Sequence, residues 1–232
     1  PRLYHFFFFW GLFINMTIKL IMESWRQFIN ESTIHPKIMR MIDKLEDNDG
    51  GKVRINKYQV LVRDGQGKLL AQVSFDPTDG MYGKCLGASV VSFSEAEGSY
   101  GPLAYDIAIE ASGGLVSDRT EVSNAARDVW DYYDNNRPDV IKQQMDNLEN
   151  ELTPEEKDNC EQLTADQNDA SSSWKDSSLS RKYSKPHGKT PVIDELIKRR
   201  MLHQESPLKK DFPADGMTPS KYDGDTHDGG VA

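Results

Sequence analysis

Residues 88–133 read ASVVSFSEAEGSYGPLAYDIAIEASGGLVSDRTEVSNAARDVWDYY, and their pattern decides the fold. The apolar, β-prone run at 88–93 predicts a strand. A glycine-bearing turn follows at 97–101, and Pro102 suits a first helical position. Leu103, Ala104, Ile107, Ala108 and Ala111 then share one helical face, which places Asp106 away from the apolar stripe. Gly113 and Gly114 end that helix, and residues 115–117 suit a short return strand. Ser123 is placed to cap a second helix burying Ala126, Val129, Trp130 and Tyr133. The turn before the first helix leaves amides free at a helix N-terminus, where the peptide dipoles favour an anion such as phosphate.

This order resembles the second half of a GCN5-related N-acetyltransferase. In that family a strand splays from its neighbour, and a Q/R-x-x-G-x-G/A loop cradles the coenzyme A pyrophosphate. A later N-x-x-A-x-x-L-Y helix often supplies a tyrosine as general acid. The resemblance covers residues 53–133, and Gly101 matches the first loop glycine. Gly98 stands at the Q/R position and Leu103 at the second glycine. Ser123, Ala126, Val129 and Trp130 fall on the later pattern, with Tyr132 and Tyr133 beside the tyrosine position that Trp130 occupies. The resemblance implies acetyl-CoA as cofactor and an amine as acceptor, on a small molecule or a host protein; the alternative is a catalytically inactive structural or interaction protein that keeps the same fold. It implies Gly98, Ser99, Tyr100, Gly101, Leu103 and Ser123 as cofactor-binding residues and Tyr132 as a catalytic one.

Glu95 and Glu97 precede the glycine turn and are candidates for a base or charge role. Paired glutamates at this spacing also occur in ADP-ribosyltransferases, whose nucleotide-binding arginine and Ser-Thr-Ser strand are not evident here. Exposed glutamates beside a turn more commonly serve solvation. Asp118 and Arg119 follow the return strand, where a site on an open sheet would lie, and are expected to form a structural ion pair.

The net charge of -9 argues against a nucleic-acid surface, which needs clustered Lys and Arg. Mean hydropathy is -0.66, which suits a soluble chain. Cys85 and Cys160 are far apart and lack a C-x-x-C or His-linked pattern. They predict free thiols in a reducing compartment, Cys85 being a core residue rather than a nucleophile. No metal-ligating constellation is evident.

The apolar run at 3–13 is too short to cross a bilayer. With Pro at position 1, Met16 or Met22 is the expected start, and a signal anchor over 3–22 is the alternative. Residues 22–31, MESWRQFINE, form an amphipathic segment. It resembles the capsid-targeting sequence of internal head proteins of large contractile-tailed bacteriophages. In those proteins a maturation protease cuts after the glutamate, here Glu31. That resemblance implies contact with the phage head scaffold and protease, and a location in the capsid interior or the host cytoplasm.

Helical spacing at 36–45 predicts a short helix, and alternation across 53–75 with a turn at Asp64 and Gly65 predicts a hairpin. Beyond Tyr133, a helix from Pro138 carrying Ile141, Met145 and Leu148 is expected, with a capping box at Thr153. Trp174, Leu179 and Tyr183 are expected to anchor an irregular stretch, and Thr190 to start a last helix through His203. The expected fold is α+β, a mixed and mostly antiparallel sheet with flanking helices, then a helical and partly disordered C-terminal region. Its divisions are a leader at 1–31, an α/β domain at 32–136, a helical extension at 137–205 and a disordered tail at 206–232.

Overall fold

Ile38, Met41, Ile42 and Leu45 recur at helical spacing and form the buried stripe of α1 (Pro36–Asp47). The computed structural model describes residues 34–47, 50–78, 80–148, 153–163 and 174–204. The targeting segment, the leader and the tail therefore lie outside the described residues. Gly51 follows α1 closely: a Cβ there would fall 2.4 Å from Leu45 Cδ1 and 2.8 Å from the Leu45 carbonyl oxygen.

The run expected to form a hairpin is instead a three-stranded meander of β1 (Lys52–Ile55), β2 (Gln59–Arg63) and β3 (Leu69–Pro77), because its first arm folds back on itself at residues 56–58. Asn56 makes the first turn by accepting the Tyr58 amide on its side-chain oxygen. At the second turn the Asp64 carboxylate accepts the amides of Gln66 and Lys68, with Gly67 at φ +85°. Val53, Ile55, Val60, Val62, Ala71, Val73 and Phe75 all enter the core. β4 (Ser89–Ala96) pairs antiparallel with β3, and α2 (Gly101–Ser112) follows. β5 (Leu115–Val116) then pairs parallel with β4, and α3 (Asn124–Asn136) begins where Ser123 Oγ accepts the Ala126 amide.

Three more strands complete the sheet: β6 (Ile141–Gln144), β7 (Arg181–Ser184) and β8 (Leu202–Gln204), with α4 (Pro191–Lys198) between the last two. The eight strands run in the order β6-β7-β5-β4-β3-β2-β1-β8. Among the described strand pairs only β4–β5 and β1–β8 are parallel, so the architecture is α+β on a mixed, mostly antiparallel sheet.

Helix α2 is buried around most of its circumference, including Tyr105, Asp106, Ile109 and Glu110. It packs against β2 and β3 and touches both α1 and α4. The single apolar stripe is thus too narrow a description, and Asp106, placed away from it, is fully buried. The segment after Tyr133 departs further. Arg137, at the end of α3, is drawn inward to Asp106 and Asp139. The expected helix carrying Ile141 is instead edge strand β6, paired with β7 from Ile141↔Ser184 to Gln144↔Arg181. Strand pairing overrides helix propensity here. Thr153 opens no α-helix: its hydroxyl turns to the Asp158 carboxylate, ahead of one 3₁₀ turn at Glu156–Asp158. The last helix stops at Lys198, because Arg200 takes φ +58° and β8 turns to pair with β1.

The cysteines are also corrected. Cys85 and Cys160 form a disulfide across a sequence separation of 75. Their segments run together because the Cys85 amide donates to the Asn159 carbonyl and the Glu161 amide to the Tyr82 carbonyl. Gly83 permits this approach, since a Cβ there would lie 2.4 Å from the Asn159 carbonyl oxygen.

Candidate functional site

Strand β4 is eight residues long and β5 only two. Their parallel pairing is confined to Ser89↔Leu115 and Val90↔Val116. Beyond Val90 the chains part. On its other side β4 carries a bulge, because Phe75 pairs with Val91 and Ser74 with Phe93, leaving Ser92 as an extra residue. A bulge bends and twists its strand. The parting leaves a cleft of about 310 Å³ between residues 91–94 of β4, the loop at 118–123 and the start of α3.

The cleft wall is built by aromatic packing. Tyr105 of α2 is 2 % exposed, and its ring meets that of Trp130 edge-on at 5.1 Å. Trp130 in turn packs on Tyr183 at 5.2 Å, with Tyr133 beside both. The Tyr105 hydroxyl donates to Ser94 Oγ at 3.0 Å. Burial pushes its phenol above the usual tyrosine range, so it is protonated at neutral pH. The opposite lip is shaped by Asp118, whose carboxylate accepts the Thr120 amide and hydroxyl at 2.7 Å each. Arg119 does not pair with it as expected: it turns inward, is 1 % exposed, and donates to the carbonyls of Ser117, Glu161 and Leu179. Burial lowers its guanidinium to about 10.

Of the residues expected from sequence, Ser123 lines this cleft. Gly98 and Ser99 form the exposed turn between β4 and α2, with Gly98 at φ +63°. Gly101 opens the helix with room for a Cβ, its nearest contact being Ala96 Cβ at 3.5 Å. Tyr100 and Leu103 point into the core, 3 % and 0 % exposed. Glu95 is exposed opposite Gln72 of β3, and Glu97 forms a surface ion pair with Lys68 at 2.6 Å. Neither glutamate lines the cleft. Tyr132 sits elsewhere on α3, its hydroxyl 3.3 Å from His35 Nδ1 and its ring under Lys37 Nζ. Tyr105 was missed because the apolar stripe of α2 places it outside. The signal was Ile109 four residues on, which widens the apolar surface beyond one face.

Behind the aromatic layer lies a buried charge cluster. Arg137 grips Asp106 at 2.7 and 2.8 Å and Asp139 at 2.8 and 2.7 Å, each with two nitrogen–oxygen contacts. Lys185 Nζ bridges the same carboxylates at 3.3 and 2.9 Å, and the Tyr133 hydroxyl donates to Asp106. Two carboxylates face two cations, so the cluster is formally neutral. Burial opposes ionisation of Asp139, but the bonds from Arg137 and Lys185 hold its carboxyl well below the usual range. One turn along α2, Glu110 caps α4 by accepting the amides of Val192 and Ile193 at 3.1 and 2.9 Å. Burial, then the nearby Asp106, pushes its carboxyl up to about 8.

Comparison with protein-family models, curated proteins and solved structures finds no match for this chain.

Proposed function

We propose that the β4–β5 cleft binds the thioester arm of an acyl carrier, acetyl-CoA in the simplest case, and that the chain transfers the acyl group to an amine. The observation that carries this reading is the β4 edge facing the cleft, which β5 leaves unpaired beyond Val90. Backbone amides and carbonyls on a strand edge seek partners. The arm of coenzyme A is an extended chain with two amides, so it can lie along that edge as a further strand would. A volume of about 310 Å³ suits such a slim arm and leaves a nucleotide outside, near the turn at Gly98 and Ser99.

In this reading the amine nitrogen attacks the thioester carbonyl carbon, the carbon–sulfur bond breaks, and the leaving thiolate takes a proton. Tyr105 is the group assigned to supply that proton, since it lines the cleft, its hydroxyl reaches Ser94 Oγ of the cleft-facing stretch of β4, and burial keeps it protonated. Tyr132, on another side of α3, is not assigned this role. The attacking amine enters unprotonated, and the proton it loses after bond formation passes through water to the Tyr105 phenolate, which restores the acid.

Calorimetric titration of the full chain with acetyl-CoA tests the reading. Saturable heat is expected, and it should vanish in Ala126→Trp, which fills the cleft from its partly exposed rim. Absence of saturation at millimolar acetyl-CoA refutes it.

A further inference from the structure

The Cys85–Cys160 bond lies in a small core beneath the β4–β5 pair. Both half-cystines are fully buried in a small core with Ala88, Val90, Val116 and Met145. Val90 and Val116 are one of the two residue pairs that join β4 to β5. The turn carrying Cys85 is strained: Cys85 and Leu86 take φ of +43° and +56°, flanked by Gly83 at +92° and Gly87 at +66°. Besides the disulfide, the Cys85 amide holds the turn to the Asn159 carbonyl at 3.0 Å, and Lys182 Nζ holds the Leu86 carbonyl at 2.8 Å. Lys182 belongs to β7, the next strand beyond β5. A strained turn at the root of a strand pair relaxes when its covalent tether is cut.

We propose that this disulfide is a redox latch: intact, it keeps β4 and β5 joined at the root of the cleft, and reduced, it lets the turn relax and the pair loosen. Its consequence for ligand binding rests on the acyl-carrier reading, whereas the latch itself does not. Reduction follows ordinary exchange. A thiolate attacks one sulfur and the S–S bond breaks. A second thiolate then releases the mixed disulfide, leaving two protonated cysteines and one oxidised thiol pair. Because both sulfurs are shielded, exchange waits on opening of the 80–87 turn, so the folded chain is reduced slowly. The latched state belongs to oxidising surroundings and the open state to a glutathione-reduced cytosol.

The full chain, purified without reductant and then incubated with or without dithiothreitol, is alkylated and weighed intact. Hydrogen exchange is followed in peptides spanning 86–96 and 113–120, with the 52–63 strands as internal control. The expected result is no alkylation before reduction and two after it. Exchange in the two β4–β5 peptides should be roughly tenfold faster after reduction, with the control unchanged. Two free thiols at the outset, or equal exchange in both forms, overturns the latch. A titration with acetyl-CoA separates the two readings. No binding in either form defeats the acyl-carrier reading and leaves the exchange result to decide the latch. Equal binding in both forms defeats control of the cleft.

Discussion

Replacing Arg137 with methionine removes the centre of the buried charge cluster while keeping most of the side-chain volume. Arg137 is fully buried and makes four hydrogen bonds to Asp106 and Asp139. Its guanidinium also lies 4.8 Å from the Tyr133 ring centroid. Without it, two carboxylates share only Lys185, and the cluster carries a net charge of -2 + 1 = -1. Stranding one buried charge in this way costs about 3–5 kcal/mol. At roughly 2–4 °C per kcal/mol for a chain of this size, the melting midpoint should fall by about 10 °C. Adding Asp139→Asn restores neutrality, because Asp106 and Lys185 then balance. The double variant should therefore recover about 1–3 kcal/mol relative to the sum of the single changes. Urea unfolding followed by circular dichroism, with the slope held as a check on cooperativity, measures both quantities. An Arg137→Met loss below about 1 kcal/mol, or strict additivity in the double variant, refutes the reasoning.

Glu110 holds a proton in the folded chain up to about pH 8 that the unfolded chain releases near 4.5. Its contribution is thus complete below 4.5 and is lost as the pH rises towards 8, so thermal stability between these values should fall less in Glu110→Gln than in the parent. Parallel melting curves for the two would contradict this. Replacing both Cys85 and Cys160 with alanine releases a loop closed across 75 positions, a loss of about 4 kcal/mol in the chain-entropy account, read as a lower urea midpoint. An unchanged midpoint would exclude any stabilising role for the bond. Tyr105→Phe removes one hydrogen bond, worth about 1 kcal/mol of stability. It should lower amine acetylation by about 10²-fold or more while leaving acetyl-CoA affinity nearly unchanged, and retained turnover would remove the acid assignment.

The half of the fold governed by local pattern was legible in the residues. Alternation from Val53 to Phe75 marked the strands, although the expected first arm of the hairpin folds back at Asn56 into β1 and β2; Ser123 capped α3, and Gly113 took the left-handed conformation at φ 75° that ends α2. What escaped was set by partners distant in the chain. IKQQ carries no strand signature strong enough to overrule a helix, and RKYS none that sets it apart from an irregular stretch, yet they pair because β7 sits beside β5. Asp106 looks like a surface residue until Arg137 and Lys185, 31 and 79 positions on, close around it. The cysteines show no motif because their meeting depends on the backbone bonds that draw 82–85 against 159–161. The cleft was half legible. Its strand and its capping serine were evident, while Tyr105 was hidden by an apolar stripe drawn too narrowly on α2.

Amide hydrogen exchange along residues 91–94, with and without acetyl-CoA, decides whether the unpaired edge of β4 is a binding edge. If the arm of the cofactor lies along that strand, these amides become protected on saturation, while the 59–63 strand on the far side of β3 exchanges as before. If residues 91–94 exchange at the same rate in the presence of millimolar acetyl-CoA, the edge is not where an acyl carrier binds.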